Sequence, residues 1–203
     1  MLDTTVILAN GDYPTHQTPL SFLQTANRVV CCDGAANEYV KQGHMPDVVI
    51  GDCDSLHEDT RKKLAGRIVE VEEQDDNDLT KAFNYVMSHW PETSVYILGA
   101  SGKRDDHFLG NLGHLIDFAD RCRAVSLVND YGIFTPHSGT EILVTRPGEQ
   151  ISVFNINCQT LSSVGLRWPI CAFTKIWEGT LNEALGHEVT IKGDGKYLVY
   201  KAF

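Results

Sequence analysis

Six short apolar runs, at residues 6–9, 29–32, 48–50, 68–71, 95–98 and 125–128, punctuate the first two-thirds of this 203-residue chain. They are β-branched and continuous rather than alternating, the pattern of strands buried on both faces of a parallel sheet. Parallel neighbours need long crossovers, and the stretches between the runs carry helical spacing. Leu79, Ala82, Phe83, Val86 and Trp90 recur at intervals of three and four, as do Phe108, Leu112, Leu115, Ile116 and Ala119. Residues 35–42 read as a shorter helix ended by Gly43, and Ser55 with Glu58 as a capping box opening a helix to about Leu64. The β-α-β rhythm predicts an α/β fold: a three-layer domain with a mostly parallel sheet.

After about Asn129 the texture changes. Turn signals (PHSGT, RPGEQ, GDGK) separate runs such as EILVT, QISVFNI, EVTIK and KYLVY, several alternating as half-buried antiparallel strands do. The expected organisation is an α/β catalytic domain over residues 1–132 and an antiparallel β-sandwich over 133–203. A net charge of −10 argues against a nucleic-acid partner, which would want a basic surface. No run of about 18 apolar residues is present, so no membrane helix is expected. The first residues lack a basic segment ahead of their short apolar run, which argues against a signal peptide. Six cysteines without a C-x-x-C pair read as small buried thiols of a cytoplasmic protein.

Ligands of open α/β sheets bind beyond the carboxyl ends of the strands. Those ends carry Asn10-Gly11-Asp12, Asp33-Gly34, Gly51-Asp52-Cys53-Asp54-Ser55, Gln74-Asp75-Asp76-Asn77-Asp78 and the loop GASGKRDDH from Gly99. Gathered carboxylates repel unless a cation neutralises them, and Mg²⁺ suits one or two carboxylates plus substrate phosphates. Asp52 and Asp54, two apart on an extended stretch, would point the same way, with Cys53 a small filler between them. Read alone, G-D-x-D-S fits a plain helix cap equally well. Asp78 and Lys81 share one face of a helix, as either a metal and phosphate pair or a solvated one. Glycines followed by Lys103 and Arg104 at a helix start make an anion site, although the spacing is not that of a P-loop. Asp106 and Asn111 follow as candidate substrate contacts. With no nucleophile motif, the residues by themselves stop at an Mg²⁺-dependent transferase or hydrolase acting on a nucleotide or phosphate ester.

The ordered motifs C-C-D-G-A-A-N (31–37), P-D-x-x-I-G-D-x-D-S (46–55), D-x-x-D-x-x-K (75–81), G-x-x-G-K-R-x-D-H-x-x-x-N (99–111) and G-L-R-W-P (165–169) resemble the thiamine pyrophosphokinase family. The resemblance implies transfer of diphosphate from ATP to the hydroxyl of thiamine, with Mg²⁺, by a homodimer with active sites at the subunit interface. It implies Asp52, Asp54 and Asp78 at the metal, with Asp33, Lys81, Lys103 and Arg104 around ATP. Gln74, Asp75, Asp106 and Asn111 would lie nearby, and Trp168 and Asn182 on the thiamine side. Where the family has a late Ser-Asn pair, this chain reads Thr180-Leu181-Asn182, and the nearby ICAFTKIWEG also departs by adding Trp177. A metal-dependent phosphohydrolase and a non-catalytic thiamine- or nucleotide-binding protein stay open as alternatives.

Overall fold

The structure, a computed structural model, describes residues 3–73 and 75–203. Two compact units divide between Asp130 and Tyr131, where the sequence pattern had suggested 132/133.

In the first unit the six apolar runs are strands: β1 (Thr4–Leu8), β2 (Arg28–Cys32), β3 (Val48–Gly51), β4 (Ile68–Glu70), β5 (Ser94–Leu98) and β6 (Ala124–Val128). All pair in parallel, in the order β4-β3-β2-β1-β5-β6. The order reverses between β1 and β5, which opens a crevice at the strand ends there. Val6, Ile7, Val30, Val49, Ile50 and Ile97 are fully buried, as continuous apolar strands covered on both faces must be.

Helices α1 (Gln17–Thr25), α2 (Ala35–Lys41), α3 (Glu58–Lys63), α4 (Asp78–His89) and α5 (Asp105–Phe118) form the crossovers. The apolar stripe of α4 is buried through Leu79, Ala82, Phe83 and Val86, and the helix packs on β1, β2 and β3. Its N-cap is Asn77, whose Oδ1 accepts the Thr80 N–H at 2.8 Å. Helix α5 buries Leu115 and Phe118, and Phe118 stacks on Phe83 with centroids 3.9 Å apart. Phe118 rather than Ile116 thus centres its buried face. Helix α2 ends as expected: Gly43 has φ 86°, and His44 and Gly43 donate back to Tyr39 and Val40.

Two local features differ from the sequence reading. Helix α1 carries little apolar periodicity and was not anticipated; it buries only Pro19 and Leu23, with Pro19 in the tolerant first turn. Ser55 does not cap α3, which begins after His57. Instead its hydroxyl donates to Asp54 Oδ1 at 2.9 Å and its N–H to Asp33 Oδ2 at 3.3 Å. Its neighbour Asp54 and the distant Asp33 thus take Ser55 in place of the cap.

The second unit is antiparallel: β7 (Gly132–Val144), β8 (Gln150–Asn155), β9 (Leu161–Val164), β10 (Asn182–Glu183) and β11 (Glu188–Ala202). Two of the three turn signals lie inside long strands, PHSGT within β7 and GDGK within β11. RPGEQ does form the turn between β7 and β8. The β7–β11 register shifts between Lys192 and Lys196, so GDGK marks an irregularity in one strand rather than a link between two. Beyond it β11 pairs with β8, before it with β9. Both halves line one core, Val189 and Ile191 from the first, Tyr197 and Val199 from the second.

All six cysteines are free; four are buried, Cys122 is half-buried and Cys171 is exposed, against the expectation of buried thiols throughout. No helix among the described residues is long and apolar enough to cross a membrane.

Candidate active site

The loops after β1 and β5 meet at the point where strand order reverses. Gly11 N–H donates to Gly99 O at 2.6 Å and Asp12 N–H to Ser101 O at 2.8 Å. Such close approach requires glycine: a Cβ on Gly11 would stand 2.3 Å from Gly99 O. Around this junction lies a pocket of about 440 Å³, within the range of small-molecule sites. Its charged lining is Asp33, Asp52, Asp54, Asp78, Lys103 and Arg104, with Asn111 from α5.

Asp33, Asp52 and Asp54 each offer an oxygen within 4.8 Å of the others. Asp33 was expected at ATP and Asp78 among the metal residues, yet the tightest set includes the first and leaves the second beside it. Asp33 is buried at 3% exposure, and its Oδ1 has no hydrogen-bond partner among the described residues. An ionised oxygen in that state is costly without a cation. Gly51, at φ 153°, makes room: a Cβ there would lie 2.9 Å from the Asp33 Cβ and 3.2 Å from Asp78 Oδ1.

Asp52 and Asp54 do not converge by strand alternation. Cys53 between them has φ 61° and Asp33 has φ 37°, both left-handed. That conformation costs a non-glycine residue about 1–2 kcal/mol, aspartate being the more tolerant. Backbone strain of this kind clusters at functional sites. Cys53 is therefore more than filler; its turn brings the two carboxylates together.

The Asp78 carboxyl is pushed above its ordinary value, first by burial and then by Asp33, with Asp52 and Asp54 adding to the shift and Lys81 opposing it. A raised folded-state value means that the native state holds the proton more tightly than the unfolded chain. The stability from this group is then complete at low pH and lost as pH rises through the folded value. Metal-free wild type is expected to melt progressively lower than Asp78→Asn as pH is raised from about 4 to 7. Paired thermal melts across that window check it; a constant difference would refute it.

Other expected residues fall differently. The Lys81 side chain is buried rather than on a solvated face or the pocket wall, its Nζ donating to Val71 O at 3.2 Å and standing 4.0 Å from Asp78 Oδ1. Lys103 Nζ donates to Asn10 O at 3.0 Å. Arg104 makes a two-pronged pair with Asp106, at 3.0 and 2.5 Å, and holds that carboxyl down at about 2. Asp106 thus serves Arg104 and does not line the pocket. Asn111 Nδ2 donates to Ala100 O at 2.9 Å. Asp75 is exposed, its N–H turned to Glu73, and Gln74 lies outside the described residues.

Asn10, Gly11, Ser55, Asn77, Ser101 and His107 also line the pocket; the sequence reading placed them in the strand-end segments without naming them as site residues. Their place after a strand or at a helix cap was the available signal. Asn77 also pairs with His114 Nε2 at 3.0 Å.

In the second unit Trp168 is exposed and Asn182 is buried. Asn182 Nδ2 donates to Trp168 O at 2.6 Å, and its Oδ1 accepts the Trp168 N–H at 3.1 Å. Its amide is thereby committed to holding the tryptophan backbone. Both line a cavity of about 250 Å³ with Phe173, Glu178, Thr180 and Leu181. The Thr180 hydroxyl donates to Trp177 O at 2.7 Å, so it does not stand free in place of a serine. Arg167 lies over the Trp168 ring at 5.6 Å and Lys175 over Trp177 at 5.5 Å, so both rings already face cations.

Residues 20–127 match the family profile "Thiamin pyrophosphokinase, catalytic domain", and residues 132–200 match "Thiamin pyrophosphokinase, substrate-binding domain". Thiamine pyrophosphokinase 1 of Oryza sativa subsp. japonica is 32% identical over 170 residues, 68% of this chain and 64% of its own length. Thiamine pyrophosphokinase 1 of Arabidopsis thaliana is 31% identical over 149 residues, 62% of this chain and 55% of its own. The chain thus spans less than two-thirds of these plant relatives. Yeast thiamin pyrophosphokinase superposes with a TM-score of 0.84 at 16% identity, covering 100% of this chain and 87% of that one. A thiamin pyrophosphokinase family protein from Enterococcus faecalis superposes with a TM-score of 0.83 at 18% identity, covering 99% of both chains. At those identities the structures attest the fold. The two profiles, which follow one another along nearly the whole chain, carry the assignment: this protein belongs to the thiamin pyrophosphokinase family.

Proposed function

We propose that this protein transfers the terminal diphosphate of ATP to the hydroxyl of thiamine, releasing AMP. The observation that carries the reading is the meeting, in one pocket, of three close carboxylates with Lys103 and Arg104. A buried Asp33 oxygen without a hydrogen-bond partner among the described residues and an all-oxygen donor set fit Mg²⁺. Asp33, Asp52 and Asp54 would hold it, and the bound ion would offset polyphosphate charge at an acidic site.

The chain's own residues supply position and field. Lys103 and Arg104 face the phosphate oxygens, Arg104 exchanging Asp106 for substrate. The junction of Gly11 with Gly99 sets the spacing of the pocket wall. The thiamine oxygen attacks the β-phosphorus; a new O–P bond forms as the bridging bond to the α-phosphate breaks, and AMP leaves with the electron pair. Asp78, which lines the pocket beside the cluster, takes the hydroxyl proton. In the second unit, the exposed Trp168 ring, its backbone held by Asn182, receives the cationic aromatic substrate in place of Arg167, with the Glu178 carboxylate in the same cavity.

The same reading includes cytoplasmic residence and a homodimer with active sites at the subunit interface; light scattering of the purified protein tests the dimer. Incubation with ATP, Mg²⁺ and thiamine should yield equal AMP and thiamine diphosphate by chromatography. ADP or free phosphate as the sole product would overturn the proposal, and phosphate release without thiamine would mark a phosphohydrolase.

A further inference from the structure

The turn carrying Asp52 and Asp54 is gripped from outside the pocket. The carbonyl of left-handed Cys53 accepts Arg61 Nη2 at 3.0 Å. The same guanidinium reaches Glu70 Oε1 through Nη1 at 2.5 Å. Arg61 rises from α3, anchored by Thr60 and followed by fully buried Leu64, while Glu70 ends β4 directly opposite Gly51 in the sheet. Val71 N–H, next along, donates to Gly51 O at 2.8 Å. One arginine therefore ties the strained peptide between the two carboxylates to two separately anchored elements.

An ion pair this exposed contributes little stability by itself, with the side chains at 44% and 47% exposure. The contact to the Cys53 carbonyl has a different consequence. Released, a cysteine relaxes from the left-handed region, and rotation at residue 53 swings the carboxylates at 52 and 54 apart. We propose that Arg61, oriented by Glu70, is a positioning residue that locks the Cys53 peptide and so sets the affinity of the Asp33–Asp52–Asp54 cluster for a divalent cation. This rests on the reading that the cluster binds such an ion, and goes beyond it in naming what preorganises it.

The test titrates Mn²⁺, without nucleotide, into the full chain and reads bound ion by electron paramagnetic resonance. Arg61→Met should weaken binding by about 10-fold or more, the scale on which groups supporting metal ligands act. Adding Cys53→Gly should restore the affinity to within about 3-fold of Cys53→Gly alone, because glycine takes the left-handed turn without strain. Loss of a surface ion pair or of helix stability would not be repaired by glycine at 53. Wild-type affinity in Arg61→Met, or no rescue by glycine in a folded double variant, overturns the proposal. Should Arg61→Met not fold, Glu70→Gln keeps the guanidinium but loosens it; unchanged Mn²⁺ binding there is equally fatal. If the wild type binds no Mn²⁺, this inference falls together with the metal assignment. If it binds Mn²⁺ but forms no AMP, only the proposed reaction falls.

Discussion

Asp33→Asn is expected to lower Mg²⁺-dependent AMP formation by about 10²–10³-fold while leaving the fold intact. Asparagine is nearly isosteric, and it tolerates the left-handed φ of 37° that this position adopts. The backbone bonds that frame the residue, Asp33 N–H to Ile50 O at 2.9 Å and Ala36 N–H to Asp33 O at 3.1 Å, do not involve the side chain. What changes is charge: the buried carboxylate is replaced by a neutral amide. Without metal, the variant should melt higher than metal-free wild type, since one member of a repelling cluster is gone. A more stable and less active protein is a combination that misfolding cannot produce. Calorimetry with and without Mg²⁺, beside the AMP assay, reads both halves. Retained turnover would remove Asp33 from the site.

Gly11→Ala is expected to destabilise the protein by about 1–3 kcal/mol and to raise the KM for ATP. The added methyl would sit 2.3 Å from Gly99 O and 2.4 Å from Ser101 O, both backbone atoms that no rotamer change can move. Relief requires the two loops to part, which breaks the 2.6 Å bond from Gly11 N–H and shifts Asn10, on which Lys103 rests. Gly113→Ala is the control. It lies in α5 with nothing within 4 Å of the new methyl, so it should stabilise by about 0.5–1 kcal/mol through helix propensity alone. Denaturant melts and an ATP titration of rate distinguish the two; equal behaviour would show that the junction is not tightly packed.

How much of this was legible beforehand follows from the range of each interaction. Strands β1 to β6 could be read almost to the residue, because burial on both faces leaves a continuous apolar run that nothing else explains as simply. Helix α4 was equally plain, since its apolar stripe stands between two clear strands. Helix α1 left a weak trace because it buries only two residues. The long strands β7 and β11 were read as shorter pieces, since glycine and proline signal a turn and a bulge alike. Lys81 was expected around ATP, with a solvated face as the other reading, yet it is buried and donates to the carbonyl of Val71, which belongs to another segment.

The sequence by itself determined the class of fold, the order of the carboxylates along the sheet edge and the basic loop at 99–104, all properties of local composition and spacing. Only the tertiary structure decided which carboxylates share one small volume. It chose Asp33 with Asp52 and Asp54, set Asp78 beside them, committed Asp106 to Arg104 and Asn182 to Trp168, and put Cys53 in a left-handed turn under Arg61. Those choices depend on backbone angles and on contacts between distant segments. A residue's partners across the sheet are set by how the crossovers pack, and the spacing of residues along the chain does not encode that.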